Sequence, residues 1–225
     1  NVVALLRGAT RPDEYLTVTS HYDHFGVGET INGDSIYNGA YDNASGTAVL
    51  VTLARMLADA DLPFTLKIVP FGSEELGRQG GRFYVQSLSD EELENTKAML
   101  NFDALGSGSG ASVFGSSELT ELIKVTEGET GAKIAVTKGI RGGTSDFASF
   151  QNAGVPFLMF YGDDLTRIHS DRDTIGFVQP ELLESAVAAA VSSMLNPKNS
   201  ANFLIVFSPF RVADGLETTS ILAMN

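Results

Sequence analysis

Cysteine is absent from the chain, which excludes both disulfides and thiolate zinc sites. Any metal must be held by histidine, aspartate and glutamate. No stretch approaches the roughly 18 unbroken apolar residues that a membrane helix needs. The longest apolar runs, such as 155–161, are short and read as buried strands. Basic residues are scarce: 15 against 28 acidic ones leave a net charge of −13, which argues against nucleic acid or an anionic membrane as partner. Charged residues make up only 19% of the chain, so it also lacks the composition of a disordered acidic tail. The opening residues, Asn1-Val2-Val3-Ala4-Leu5-Leu6, contain neither the basic n-region nor the apolar h-region of a signal peptide. The expectation is that a precursor was processed or that an upstream domain is missing from this segment.

What is present suits one well-filled core: 225 residues, 43% of them hydrophobic. Short apolar or β-branched runs at 2–6, 15–20, 65–71, 98–102, 111–114, 133–137 and 155–161 predict strands. Between them, 44–60, 117–128, 145–152 and 180–195 carry helical patterns. In the first of these helices Ala48, Val49, Leu53, Met56 and Leu57 share a face, and Asp42, Asn43 or Ser45 stands ready to cap it. Pro180 fits the first turn of the last helix. Alternation of this kind predicts an α/β fold. Residues 1–200 are expected to form the catalytic domain and 201–225 a C-terminal appendage, with 202–208 as an edge strand.

Groups able to bind metal fall where strands should end. The strand at 15–20 runs into His21-Tyr22-Asp23-His24, the strand at 65–71 into Glu74-Glu75, and the strand at 98–102 ends on Asp103. His169 follows the strand at 155–161 after a short acidic loop, and Asp42 lies in a glycine-containing turn before a helix. In an open α/β sheet the carboxyl ends of the strands are where ligands gather. Two histidines and three carboxylates, one of them bridging, supply three protein ligands to each of two zinc ions, with a position left open for water. The paired acids Glu74 and Glu75 then divide the work, one binding metal and the other accepting the water's proton.

Five segments together carry a resemblance. They are Ser-His-Tyr-Asp-His-Phe-Gly at 20–26, Asn-Gly-Ala-Tyr-Asp-Asn-Ala-Ser-Gly at 38–46, Ser-Glu-Glu-Leu-Gly at 73–77, Asn-Phe-Asp at 101–103 and Ile-His-Ser-Asp-Arg-Asp-Thr at 168–174. In order and spacing they resemble the metal-site motifs of the bacterial leucyl aminopeptidase family of two-zinc metallopeptidases. The resemblance implies a mixed, mostly parallel sheet sandwiched between helices. It implies that His21 and Asp103 bind one zinc, that Glu75 and His169 bind the other, and that Asp42 bridges both. Glu74 would be the general base, and Asp23 would orient His21. The implied reaction removes residues from the free amino end of peptides, and the implied location is secreted or periplasmic in a bacterium. Two departures bear on substrate positioning: Ile168 stands where many members have tyrosine, and Thr144 where smaller members often carry arginine. Tyr41 stands where a second aspartate is common but is not a ligand.

Taken singly, these residues have plainer readings. Asp42 alone would be an N-cap, and Glu74-Glu75 a solvated helix start. His24 reads as a structural or supporting residue rather than a ligand. Asp146 and Asp173 stay open between site and scaffold, Asp173 as a brace for the loop carrying His169. Asp163 and Asp164 read as a solvated turn. Rival functions on the same core are a one-zinc acyltransferase like glutaminyl cyclase, a carboxypeptidase or dipeptidase, and a non-catalytic receptor-like domain.

Overall fold

The computed structural model describes residues 1–31, 33–130, 134–140 and 142–195. The chain forms β1 (Ala4–Leu6), β2 (Arg11–His21), a hairpin of β3 (Gly26–Ile31) and β4 (Asp34–Tyr37), then α1 (Ser45–Leu57) and β5 (Phe64–Phe71). Two short helices, α2 (Gln79–Ser87) and α3 (Asp90–Asn95), precede β6 (Thr96–Phe102) and β7 (Ala111–Gly115). Next come α4 (Ser117–Thr130), β8 (Ile134–Val136), α5 (Phe147–Asn152), β9 (Phe157–Gly162) and α6 (Pro180–Leu195). Residues 196–225, with the expected appendage and its strand at 202–208, lie outside the described residues.

Seven strands make one sheet in the order β1-β5-β2-β6-β9-β7-β8. The central four are parallel, with β1 and β7 antiparallel to their neighbours β5 and β9. This is the mixed, mostly parallel sheet that the resemblance implies. The central strands are buried almost throughout, as expected for parallel strands covered on both faces. Successive side chains enter opposite cores. Leu66, Ile68, Leu100, Phe102, Leu158 and Phe160 join α1 and α6 on one face. Val69, Phe71, Met99, Phe157 and Met159 meet Tyr84 and Val85 of α2 and Phe147 and Phe150 of α5 on the other.

The expected elements are all found where residues are described, with shifted ends. The hairpin, α2 and α3 were not expected. Every residue of β3 is exposed, so no core pattern marks it. In α3 the signal was present and passed over: Ser89 accepts from the Glu92 backbone while the Glu92 carboxylate accepts from the Ser89 backbone, a capping box.

The register sets the site. His21 pairs with Phe71, Thr19 with Asn101 and Phe102 with Phe160, so β5, β2, β6 and β9 end on one rim. Helix α1 approaches that rim closely. A Cβ on Gly46 would collide with the Phe102 carbonyl, so glycine lets the turn before α1 lie against the end of β6.

Candidate metal centre

The irregular turn Ala40–Ala44 places Asp42 at the middle of the rim. Asp42 is not the cap of α1: Asn43 fills that part, its Oδ1 accepting from the Gly46 N–H at 2.9 Å. The two oxygens of Asp42 face different histidines. Oδ1 lies 3.2 Å from His21 Nε2, and Oδ2 lies 3.2 Å from His169 Nε2. His21 Nε2 is also 3.2 Å from Asp103 Oδ1, and His169 Nε2 is 3.3 Å from Glu75 Oε2. Two triads thus share one carboxylate.

The side chains of His21, Asp42 and Glu75 are 2 to 6% exposed and that of Asp103 is 12%, whereas His169 is 50% exposed. The open side of the centre is therefore on the His169 loop. Left-handed backbone at Ser73, Ala104 and His169 marks the tight turns that deliver Glu74-Glu75, Asp103 and His169 from their strands.

The electrostatics follow from three buried carboxylates packed around two imidazoles. Burial alone would lower His21, but Asp103 and Asp42 overcome it and raise the imidazole to about 12. Hydrogen bonds to Asp42 and Glu75 raise His169 to about 10, against its own burial. Burial opposes ionisation of Asp42, yet His169 and His21 hold it well below the usual carboxylate range. A proton on each imidazole here does part of what a cation would do.

Glu74 and Glu75 behave oppositely. Glu75 uses both oxygens, Oε1 at 2.8 Å from His24 Nδ1 and Oε2 toward His169, and these contacts outweigh burial and lower its pKa. The Glu74 carboxylate has no hydrogen bond or ion pair among the described residues. Burial, then the charge of Asp103, pushes it up to about 8.

Residues 1–194 match Peptidase family M28. The chain belongs to that family. It is 31% identical to aminopeptidase YwaD of Bacillus subtilis over 195 residues, covering 77% of this chain and 40% of that protein. It is 29% identical to leupeptin-inactivating enzyme 1 of Streptomyces exfoliatus over 196 residues, covering 84% and 42% of the two. A solved zinc aminopeptidase from Bacillus subtilis superposes with a TM-score of 0.72 at 27% identity, covering 93% of this chain and 53% of that one. The chain therefore spans about two-fifths to half the length of these family members.

The structure brings His21, Asp42, Glu75, Asp103 and His169 together, with Glu74 beside them. Asp23 is in place, but its atoms divide differently from the expectation. The His21 Nδ1 atom meets the backbone carbonyl of Asp23 at 3.1 Å, and the nearer carboxylate oxygen is 3.7 Å away. That carboxylate instead accepts from the backbone N–H groups of Glu74 and Glu75, at 3.0 and 3.2 Å. Asp23 thus fixes the paired-acid turn as well as the imidazole.

Asp173 is fully buried and braces the turn carrying Asp42. Asp146 is also fully buried; neither oxygen has a well-formed hydrogen bond, although Oδ1 lies against the Gly81 backbone. Burial and the nearby Asp103 push Asp146 up to about 7, against the pull of His21. Asp163 is more than a solvated turn, since its carboxylate accepts from the backbone and hydroxyl of Ser109 at 2.7 and 2.6 Å. Ile168 offers no hydrogen-bond donor beside His169. The Tyr41 hydroxyl accepts from the Arg167 N–H at 2.9 Å, and that of Tyr161 lies 2.9 Å from Thr137 Oγ1. Among the described residues no helix is long and apolar enough to cross a membrane.

Proposed function

We propose that this chain is the catalytic domain of an aminopeptidase that works with two zinc ions and uses Glu74 as general base. The observation that carries the reading is the double use of Asp42, whose two oxygens each complete a separate His–carboxylate group. The donor set fits zinc: imidazole nitrogen and carboxylate oxygen only, three donors for each ion with Asp42 shared. His21, Asp42 and Asp103 would hold one ion; Asp42, Glu75 and His169 the other. When bound, the ions supply Lewis acidity, which polarises a carbonyl and makes water acidic near neutral pH.

The chain's own residues supply the rest. Glu74, its carboxylate without a partner among the described residues, takes the proton of the attacking water and returns it to the leaving nitrogen. Glu75 is engaged through both oxygens and is unsuited to that task. The expectation of a substrate with a free α-amine is supported by the Bacillus subtilis relative, which is named an aminopeptidase.

The test is zinc analysis of the purified protein combined with hydrolysis of aminoacyl amides and their N-acetylated forms. Two ions per chain, reversible loss of activity on chelation and cleavage of free-amine substrates alone are expected. Comparable rates on blocked substrates would move the protein to another exopeptidase class. One ion at saturation with pyroglutamate formation would make it a cyclase.

A further inference from the structure

His24 is unused by this account, yet it makes the shortest acid–imidazole contact at the centre. Its Nδ1 lies 2.8 Å from Glu75 Oε1, while the other Glu75 oxygen faces His169. The imidazole is wedged in place. Its side chain is 9% exposed, and Phe25 meets it edge-on with ring centroids 5.3 Å apart. Gly39, in the turn that carries Asp42, backs onto it so closely that a Cβ there would stand 2.7 Å from His24 Cγ. His24 Nε2 is sealed from solvent and has no hydrogen-bond partner among the described residues.

His24, Asp42 and Glu75 also have donor atoms within 4.8 Å of one another, the spacing of a ligand group. Against ligation, His24 contacts just one of these two carboxylates, Glu75, among the described residues. His169 Nε2, by contrast, sits between Asp42 and Glu75.

Resting on the two-zinc reading above, we propose that His24 is a positioning residue for Glu75. It donates from Nδ1 to Oε1 and so reserves Oε2 as a single-oxygen zinc ligand. A carboxylate left to rotate would present either oxygen or both. Held by His24 on one side and by Asp23 through the Glu75 backbone N–H on the other, it presents one.

The test measures zinc affinity by chelator competition in the wild type, His24→Ala and His24→Asn. The asparagine amide can occupy the place of Nδ1 and donate to Oε1, but it lacks the ring nitrogens. In His24→Ala one of the two zinc sites should weaken about 10- to 100-fold while the other stays within a few-fold. His24→Asn should recover most of the loss. Unchanged affinity at both sites in His24→Ala would overturn the proposal, and so would an asparagine variant as weak as alanine, which would make His24 a ligand. Nitrogen-15 NMR of the metal-free wild type gives an independent check, with the His24 proton expected on Nδ1; a proton on Nε2 instead would also overturn it. A wild type that binds fewer than two zinc ions would instead overturn the two-zinc reading itself.

Discussion

Asp173 holds the backbone from which Asp42 projects. Its Oδ1 accepts from the Tyr41 N–H at 2.8 Å and its Oδ2 from the Asp42 N–H at 3.0 Å, across 131 residues of chain. One carboxylate thus locks Asp42 to the loop that also carries His169. Replacing Asp173 with asparagine leaves one of the two buried N–H groups without an acceptor, which typically costs about 1–3 kcal/mol. Asp173→Asn is expected to lower the unfolding midpoint and weaken zinc binding at both positions together, since both draw on Asp42. Calorimetry and zinc titration of the variant measure the two effects. Loss at only one position would mean that the brace acts on His169 alone.

The contrast between Glu74 and Glu75 leads to separable phenotypes. Glu74→Gln keeps the shape but removes the proton acceptor, so turnover should fall about 10²–10⁴-fold with both zinc ions retained. Glu75→Gln should instead release one zinc ion. Single-turnover kinetics paired with elemental analysis distinguishes the two, and a reversed pattern would exchange the roles of the pair.

The metal-free protein should lose stability as pH rises. Glu74 and Asp146, raised to about 8 and about 7, hold protons in the folded chain at pH values where the unfolded carboxylates, near 4.5 and 3.8, have lost them. His169 and His21, raised to about 10 and about 12 from 6.5, act in the same direction above neutrality. Wherever the folded state binds more protons, stability falls with pH. Without zinc, the unfolding midpoint should therefore drop between about pH 5 and 9. Saturating zinc should shrink the drop, because metal would take the place of the protons on His21 and His169, its charge would favour ionised Glu74, and it binds more tightly as pH rises. A metal-free midpoint that climbs over this range would contradict the electrostatics described here.

Ile168 offers no donor toward an oxyanion. The two tyrosines that could stand in are engaged elsewhere, Tyr41 with Arg167 and Tyr161 with Thr137. Preorganised donors at such a position are worth roughly 10²–10³-fold in turnover. Ile168→Tyr should therefore raise kcat, by up to about 10²-fold, with little change in zinc affinity. If kcat stays flat while Tyr161→Phe lowers it strongly, Tyr161 leaves Thr137 during the reaction and serves as the donor.

Much of this was legible in the sequence because burial and period coincide. The apolar positions Phe64, Leu66, Ile68, Val69 and Phe71 of β5 and the helical spacing of Val49, Leu53 and Leu57 in α1 leave few alternatives. The same is true of His21, which ends β2, and Asp103, which follows β6, since buried runs of this kind already place them at strand ends. Helix α3 was marked by its Ser89–Glu92 capping box, but the exposed hairpin was not legible, because it buries no residue that would set a period. Nor were pairings across long separations. Nothing near Asp173 in the sequence points to Tyr41, and nothing in His21-Tyr22-Asp23-His24 reveals that the second histidine turns to Glu75. Asp23 was assigned to the correct neighbourhood, but whether its carbonyl or its carboxylate meets His21 depends on a backbone turn that residue types do not encode.

The parallel register of β5, β2, β6 and β9 has a consequence for how the centre comes into being. His21 and Asp103 are 82 residues apart, and Glu75 is 51 residues from the histidine that holds it. No short peptide from this chain contains a complete donor triad, so zinc cannot template the first steps of folding as it does in a zinc finger. In the proposed two-zinc reading the sheet must close before either ion would have three ligands, and loop-closure entropy makes such long-range pairing slow. Zinc uptake should therefore lag behind formation of the β2–β6 pair, and a truncation before β9 that removes His169 should give a chain able to hold one ion at most.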